Sequence, residues 1–137
     1  MTDAAELALD FINKHVLKLD EEERKGFRSR SRQLYSMAYF ENLKSTIAFA
    51  YSKAKEYYVK SLVQSGAKSV DVKKDGRKDY AYYLFGIIEF LKNEGYNDVD
   101  GSIDSLMKII EDKSIENKIL NYMKWLKYFA DAKIESE

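Results

Sequence analysis

Residues 25–43 have the sequence KGFRSRSRQLYSMAYFENL, and the conformation of this stretch decides the fold of the chain. Arginine occupies every second position of its RSRSR segment, which fits either a strand with one basic face or an unstructured arginine–serine tail. The other residues follow a different period. At about 100° per residue, Phe27, Ser31, Leu34 and Ala38 lie on one face of a helix. The stretch therefore predicts an amphipathic helix.

The arginines follow from the same helical geometry. A strand would require the alternation to continue, and the following residues QLYSMAYF do not alternate. On a helix over residues 21–40, Arg28 and Arg32 line one flank together with Lys25, whereas Arg30 lies on the other flank.

Helical periodicity extends along most of the chain, and proline, which breaks helix interiors, is absent. Gly66 is a good residue for ending the third helix, and Ser114 is a candidate cap for the last one. The predicted helices cover residues 3–19, 21–40, 42–65, 79–93, 102–111 and 115–134. We predict an all-α fold, a compact bundle of five to six helices forming a single domain over residues 1–137.

The composition excludes several classes of protein. There is no cysteine, which excludes disulfides, cysteine-ligated zinc and thiol chemistry. No run of 18 apolar residues is present, so we expect no membrane partner. The acidic N-terminal sequence MTDAAELALDF lacks the basic start of a signal peptide, which predicts a cytoplasmic location.

The net charge of zero conceals a strong separation of charge along the chain. Residues 24–78 contain fourteen Lys or Arg and four Asp or Glu, a balance of +10, whereas residues 1–23 and 79–137 each carry −5. Successive antiparallel helices pack together, so the central charges can form one surface for an anionic partner. The residues predicted to contact the phosphates of such a partner are Arg24, Lys25, Arg28, Arg30, Arg32, Lys44, Lys53 and Lys55.

Catalytic and metal-binding motifs are not apparent, and we predict no enzyme activity, no metal and no cofactor. His15 is the only histidine and has no motif around it. The segment NDVDGSID resembles part of a calcium loop, but Tyr96 and Met107 would occupy the first and last ligand positions. Most tyrosines fit core positions; Tyr51 and Tyr82 are the two for which we consider base stacking.

Two segments resemble a known family. NLKSTIAFAYSKA, at residues 42–54, and YMKWLKYFADA, at residues 122–132, resemble segments of the small helical subunit of type III-B (Cmr) CRISPR effector complexes. The resemblance implies a non-catalytic subunit that stacks head to tail with further copies of itself. It would lie beside the backbone subunits of the complex and contact the guide and target RNA backbone through a basic face during antiviral defence. The resemblance implies that the eight basic residues named above bind RNA, and that Arg28 and Arg32 contact either RNA phosphates or an acidic face of a neighbouring subunit.

Other functions also fit this sequence. The type III-A (Csm) small subunit and other archaeal CRISPR small subunits are compact helical proteins of similar size. A helical DNA-binding regulator would need a helix-turn-helix pair, in which residues 21–40 could take part. A purely structural adaptor would make no nucleic-acid contact at all.

Overall fold

The structure is a computed structural model that describes residues 3–66 and 77–135. These residues form seven α-helices and one π-helical turn and contain no β-strand, which confirms the all-α prediction and exceeds the expected helix number by one. The elements are α1 Ala4–Phe11, a π-turn Ile12–Val16, α2 Glu21–Phe40, α3 Leu43–Ala54, α4 Glu56–Ser65, α5 Lys78–Asn93, α6 Ile103–Ile109 and α7 Lys113–Lys133.

The first predicted helix changes type partway along its length. Asp3 begins α1 by accepting a hydrogen bond from the Glu6 backbone N–H at 2.8 Å. After Phe11 the chain widens into the π-turn, in which the Leu17 N–H donates to the Ile12 carbonyl at 2.9 Å. Ile12 is fully buried, so the wider turn belongs to the core.

Helix α2 has the bounds predicted for it. It begins with a capping box, in which the Asp20 carboxylate accepts from the Glu23 N–H at 2.8 Å and Glu23 accepts from the Asp20 N–H at 3.2 Å. Its buried residues are Phe27, Ser31, Leu34 and Ala38, the face that the helical period predicts. The interpretation of RSRSR as part of an amphipathic helix is confirmed.

The third predicted helix is wrong as a single element. It is divided into α3 and α4 at Lys55, whose φ of 74° ends one helix and starts the next. The break allows the connection before α6 to pack closely. The Tyr51 hydroxyl donates to the Gly101 carbonyl at 2.7 Å, and the Ile103 N–H donates to Glu56 at 2.9 Å. Distant contacts of this kind leave no trace in local periodicity.

Helix α5 is the central helix, as its nearly continuous apolar sequence predicts. It packs against α1, α2, α3, α4 and α7, and every residue from 80 to 88 is buried. Gly86 allows a close approach, because an added Cβ would lie 3.0 Å from the Phe11 ring. Phe90 stacks on Tyr122 of α7 at 4.5 Å between ring centroids.

The last two helices begin at side-chain caps. Ser102 caps α6 by accepting from the Ser105 N–H at 3.2 Å. The predicted Ser114 cap of α7 is wrong, because the helix already begins at Lys113 and Ser114 lies within its first turn. Asp112 caps the helix by accepting from the Ser114 N–H at 2.9 Å and from the Ser114 hydroxyl at 3.0 Å. Within the described ranges, none of the helices has the length and hydropathy needed to cross a bilayer.

Candidate nucleic-acid interface

One flank of α2 is ion-paired to the C-terminal end of α7. The Arg28 Nε lies 3.3 Å from the Asp131 Oδ1, and the Arg32 Nε lies 3.6 Å from the same oxygen. Arg28 is the more deeply placed of the two, since its side chain is 19% exposed against 56% for Arg32. The two arginines share a flank of α2, as predicted. In the protein without RNA, their ion pairs with Asp131 attach α2 to α7.

The opposite flank of α2 contacts the start of α5. Arg30 and Arg77 both approach the Asp79 Oδ2, at 3.5 Å and 3.1 Å. Both guanidinium groups also lie near the Tyr80 ring, 5.0 Å and 5.2 Å from its centroid. Asp79 is only 11% exposed, so it holds two cations in a partly desolvated setting. The Tyr80 hydroxyl donates to Gln33 at 3.3 Å.

A cleft of about 400 Å³ joins these groups at the surface. It lies between the N-terminal half of α2, the start of α5 and the end of α7, and we call it the basic cleft. Its lining carries four cations and three carboxylates, and the cations come from two distant parts of the sequence. The lining residues are Glu22, Lys25, Gly26, Arg28, Ser29, Arg30, Arg77, Asp79 and Glu135.

Glycine at position 26 sets the width of the basic cleft. An added Cβ would lie 3.1 Å from the Asp79 Cβ, so a side chain here would push α5 away from α2. The Lys25 ammonium pairs with Glu21 one turn earlier at 3.1 Å, and because the Glu21 side chain is 74% exposed, a stronger anion can replace it at little cost. The basic cleft therefore presents cations that are held in place by weak or shared carboxylate partners.

The remaining predicted residues do not all join the basic cleft. Arg24 donates from its Nη1 to the Leu19 carbonyl at 2.6 Å, which ties α2 to the turn that precedes it. It also lines a neighbouring cleft together with Lys25. Lys44, Lys53 and Lys55 are exposed along α3 and its end. Of the eight predicted residues, only Lys25, Arg28 and Arg30 line the basic cleft together. The other five lie outside it.

Lys53 lies nearer to this group than its position in the sequence suggests. Its backbone carbonyl accepts a hydrogen bond from the Arg77 N–H at 3.2 Å, and its ammonium lies 5.6 Å from the Phe49 ring centroid. Phe49 in turn meets Tyr80 edge to face at 5.9 Å. The basic loop residues Lys68, Lys73 and Lys74 fall outside the described residues.

Sequence reasoning missed how Asp79 and Tyr80 organise the cations. Arg77 belongs to the segment RKDY, where two cations precede an acid and an aromatic residue at the start of a helix. That local pattern suggests a charged cluster. Its pairing with Arg30 depends on the docking of α2 on α5 and cannot be derived from either segment alone.

Tyr51 and Tyr82, considered for base stacking, are both buried. Burial raises the pKa of each phenol, with nearby carboxylates adding to the effect. The exposed aromatic residues lie elsewhere, on the outer surfaces of three helices. They are Tyr39, Phe40, Tyr57 and Tyr128.

His15 lies between two aromatic rings of the core edge, with centroids 5.1 Å from Phe11 and 5.0 Å from Phe85. Burial lowers its pKa below the ordinary 6.5, and Lys14 and Lys18 lower it further. In the part of the chain that the structure describes, no three acidic or histidine side chains come together as a metal site. The histidine is part of the packing.

The comparison with protein families decides the identity. A model of the CRISPR-associated protein family Cas_Cmr5 matches residues 2–133, nearly the whole chain. The chain belongs to the Cmr5 family. The resemblance to the type III-B small subunit seen in the sequence is thereby confirmed.

Solved structures agree with membership of the Cmr5 family. One chain from a cryo-EM structure of the type III-B Cmr-beta bound to cognate target RNA and AMPPnP is 25% identical. It matches with a TM-score of 0.80 over 98% of this chain and 97% of that one. A chain from the type III-B Cmr-beta complex bound to non-cognate target RNA is 24% identical and has the same fold, with a TM-score of 0.78 over 100% and 99% of the two chains. No curated protein matches.

Proposed function

We propose that this Cmr5 family member is a non-catalytic, cytoplasmic small subunit of a type III-B RNA-guided effector complex. It contacts the backbone of the guide and target RNA through the basic cleft. The observation that carries this proposal is the convergence of Lys25, Arg28, Arg30 and Arg77 at one surface. The similar chain in a type III-B Cmr-beta structure bound to target RNA supports the choice of RNA as the partner.

The chemistry of the basic cleft suits phosphate better than base edges. Guanidinium groups bind phosphate oxygens in bidentate fashion, and contacts of this kind position a nucleic acid without specifying its sequence. Phosphate can replace the exposed Glu21 as the partner of Lys25, because exposed ion pairs stabilise by at most about 1 kcal/mol. Asp79 keeps Arg30 and Arg77 oriented in the absence of RNA.

The charge separation supports stacking of successive copies. The central residues 24–78 carry +10, and the two ends of the sequence carry −5 each. A surface rich in one sign that meets a different surface of the next copy makes a heterologous contact, which extends as a filament. Further copies of the chain and the other Cmr subunits are therefore its proposed protein partners.

A site-specific crosslink tests this function directly. Ser29 is exposed and lines the basic cleft, so a photoreactive amino acid at this position should crosslink to RNA in the assembled complex. Ser61, an exposed serine of α4, is the matched control and should give no RNA crosslink. Crosslinks from position 29 to protein alone would contradict RNA contact at the cleft and favour the adaptor function.

The DNA-binding regulator is not supported. A recognition helix presents one face to the major groove. The chain matches a CRISPR-associated family over residues 2–133, and α2 is packed against three other helices, α3, α5 and α7.

A further inference from the structure

The outer face of α7 carries a cluster of alternating cations and aromatic rings. Trp125 and Tyr128 meet edge to face, with ring centroids 6.1 Å apart. The Lys124 ammonium lies 4.9 Å from the Trp125 ring centroid, and the Lys127 ammonium lies 5.1 Å from that of Tyr128. We call these four residues the lysine–aromatic face.

The lysine–aromatic face is anchored to the core through Trp125. Trp125 and Phe129 are both partly buried against the core, and their rings stack at 5.7 Å between centroids with an angle of 23°. Tyr128 is 50% exposed, whereas most tyrosines of the chain are buried. An aromatic ring that is fixed on one side and open on the other loses little conformational freedom on binding a planar group.

The stretch of α7 that carries this face, residues 117–130, has charge of one sign. Residues 117–130 contain three lysines and no acidic residue. Lys118 pairs with Glu94 at 3.3 Å, but among the described residues neither Lys124 nor Lys127 has a carboxylate within 4 Å. Their ammonium groups lie over rings instead. Both cations are therefore available to an incoming anion at the small cost of a surface cation–π contact.

We propose that the lysine–aromatic face binds single-stranded RNA. Unpaired bases stack on Tyr128 and Trp125, while Lys124 and Lys127 bind the phosphates on either side. On binding, each base takes the ring surface that an ammonium covers in the free protein, and the ammonium moves to a phosphate. Rings interleaved with cations are the arrangement that binds single strands without base specificity. An apolar protein surface would leave both ammonium groups without partners.

This site is separate from the basic cleft but adjoins it. Asp131, which pairs with Arg28 and Arg32, lies one helical turn beyond Tyr128 on α7. A strand whose backbone passes the α2 arginines can thus continue onto the α7 rings. The inference rests on the proposed function for RNA as the ligand and adds a contact with bases, which the basic cleft does not make.

The single tryptophan makes the test direct, because Trp125 is the only Trp in the chain. The isolated 137-residue protein is titrated at low salt with an unstructured oligouridylate and with an RNA duplex of equal length. We expect the single strand, and not the duplex, to quench Trp125 fluorescence. Tyr128→Ala should weaken single-strand binding about tenfold, since it removes one stacked base, and Tyr128→Phe should bind like the wild type.

Two further variants complete the test. Tyr57→Ala removes a tyrosine of similar exposure, 48%, from α4 and should leave binding unchanged. Lys124→Ala/Lys127→Ala should lower the slope of log affinity against log salt by about 2. All variants are compared by circular dichroism; Tyr128 is exposed enough for its variants to fold.

Several results would overturn the inference: no quenching by the single strand, equal quenching by the duplex, or wild-type affinity in Tyr128→Ala. If Tyr128→Ala instead binds RNA normally and fails to enter the assembled complex, the face is a protein interface and the inference is wrong. A different result would show that the basic cleft does not bind RNA. Arg28→Gln/Arg30→Gln would leave the salt slope unchanged while single-strand quenching persists.

Discussion

Asp131 is the residue on which the arginine flank of α2 depends. One carboxylate oxygen faces two guanidinium groups, at 3.3 Å and 3.6 Å, so it neutralises only half of the charge it meets. These two ion pairs attach the middle of α2 to the end of α7 and leave a net positive surface beside the basic cleft. Asp131 thus both orients the arginines and competes with RNA for them.

Replacing this carboxylate should separate the two effects. We expect Asp131→Asn to lower the free energy of unfolding by about 1 kcal/mol, the range of a partly exposed ion pair, and to raise RNA affinity by releasing Arg28 and Arg32. Chemical denaturation and RNA titration measure the two. Asp98→Asn, an exposed aspartate elsewhere, is the control and should change neither. A loss of RNA affinity in Asp131→Asn would mean that the ion pair itself forms the RNA-contacting surface.

His15 makes stability depend on pH. Burial between Phe11 and Phe85 lowers its pKa, so the unfolded chain binds a proton more readily than the folded one. The contribution is present above pH 6.5 and is lost as pH falls through the lower folded pKa. Between pH 7.5 and about 5.5, wild type should lose more stability than His15→Phe in thermal melts. Equal losses would place His15 in a solvated site.

At the scale of elements, the break at Lys55 determines how α3 and α4 pack against the connection before α6. A lysine at φ 74° is strained, because an L side chain rarely adopts positive φ. The strain persists because the break brings Tyr51 and Glu56 into hydrogen-bonding reach of the connection before α6. The close approach of Gly101, whose added Cβ would lie 2.9 Å from the Lys60 Cα, depends on the same break.

Relieving this strain should stabilise the protein. We expect Lys55→Gly to raise the free energy of unfolding by about 1 kcal/mol, the strain of such a conformation less the entropy that glycine loses on folding. Lys53→Gly, two residues earlier and inside α3, should instead lower it by about 0.5–1 kcal/mol. Urea denaturation distinguishes the two. Destabilisation by Lys55→Gly would mean that the lysine side chain itself stabilises the break.

Sequence reasoning succeeded for elements whose signals are local. The bounds and buried face of α2 follow from its capping box and its period, and α5 follows from its apolar composition. It failed at Lys55, because the helical period of the sequence continues without interruption across this residue. The break is stabilised instead by contacts with residues about 50 positions away in the sequence, such as the hydrogen bond from Tyr51 to Gly101. The widening at Ile12–Val16 was missed because π-turns carry no distinct apolar pattern.

At the scale of the whole molecule, the charge separation along the sequence becomes a surface only through packing. The sequence predicts a basic middle and acidic ends, and it places Arg28 and Arg30 on opposite flanks of one helix. It does not predict that Arg77, almost 50 residues from Arg30, meets it at Asp79. The basic cleft combines helix geometry, which sequence reveals, with the docking of α5, which it does not.

The central claim is that the basic cleft binds RNA through phosphate contacts. The most direct test is the affinity of the assembled complex for two unrelated target RNAs as a function of salt. Wild type is compared with Arg28→Gln/Arg30→Gln and with Lys14→Gln/Lys108→Gln, which removes two exposed lysines outside the cleft. The arginine variant should weaken binding equally for both RNAs and lower the salt slope by about one per lost contact in each engaged copy, while the lysine control matches wild type. Unchanged affinity with parallel slopes in the arginine variant would contradict RNA binding by the cleft and leave its arginines as ion pairs of the fold.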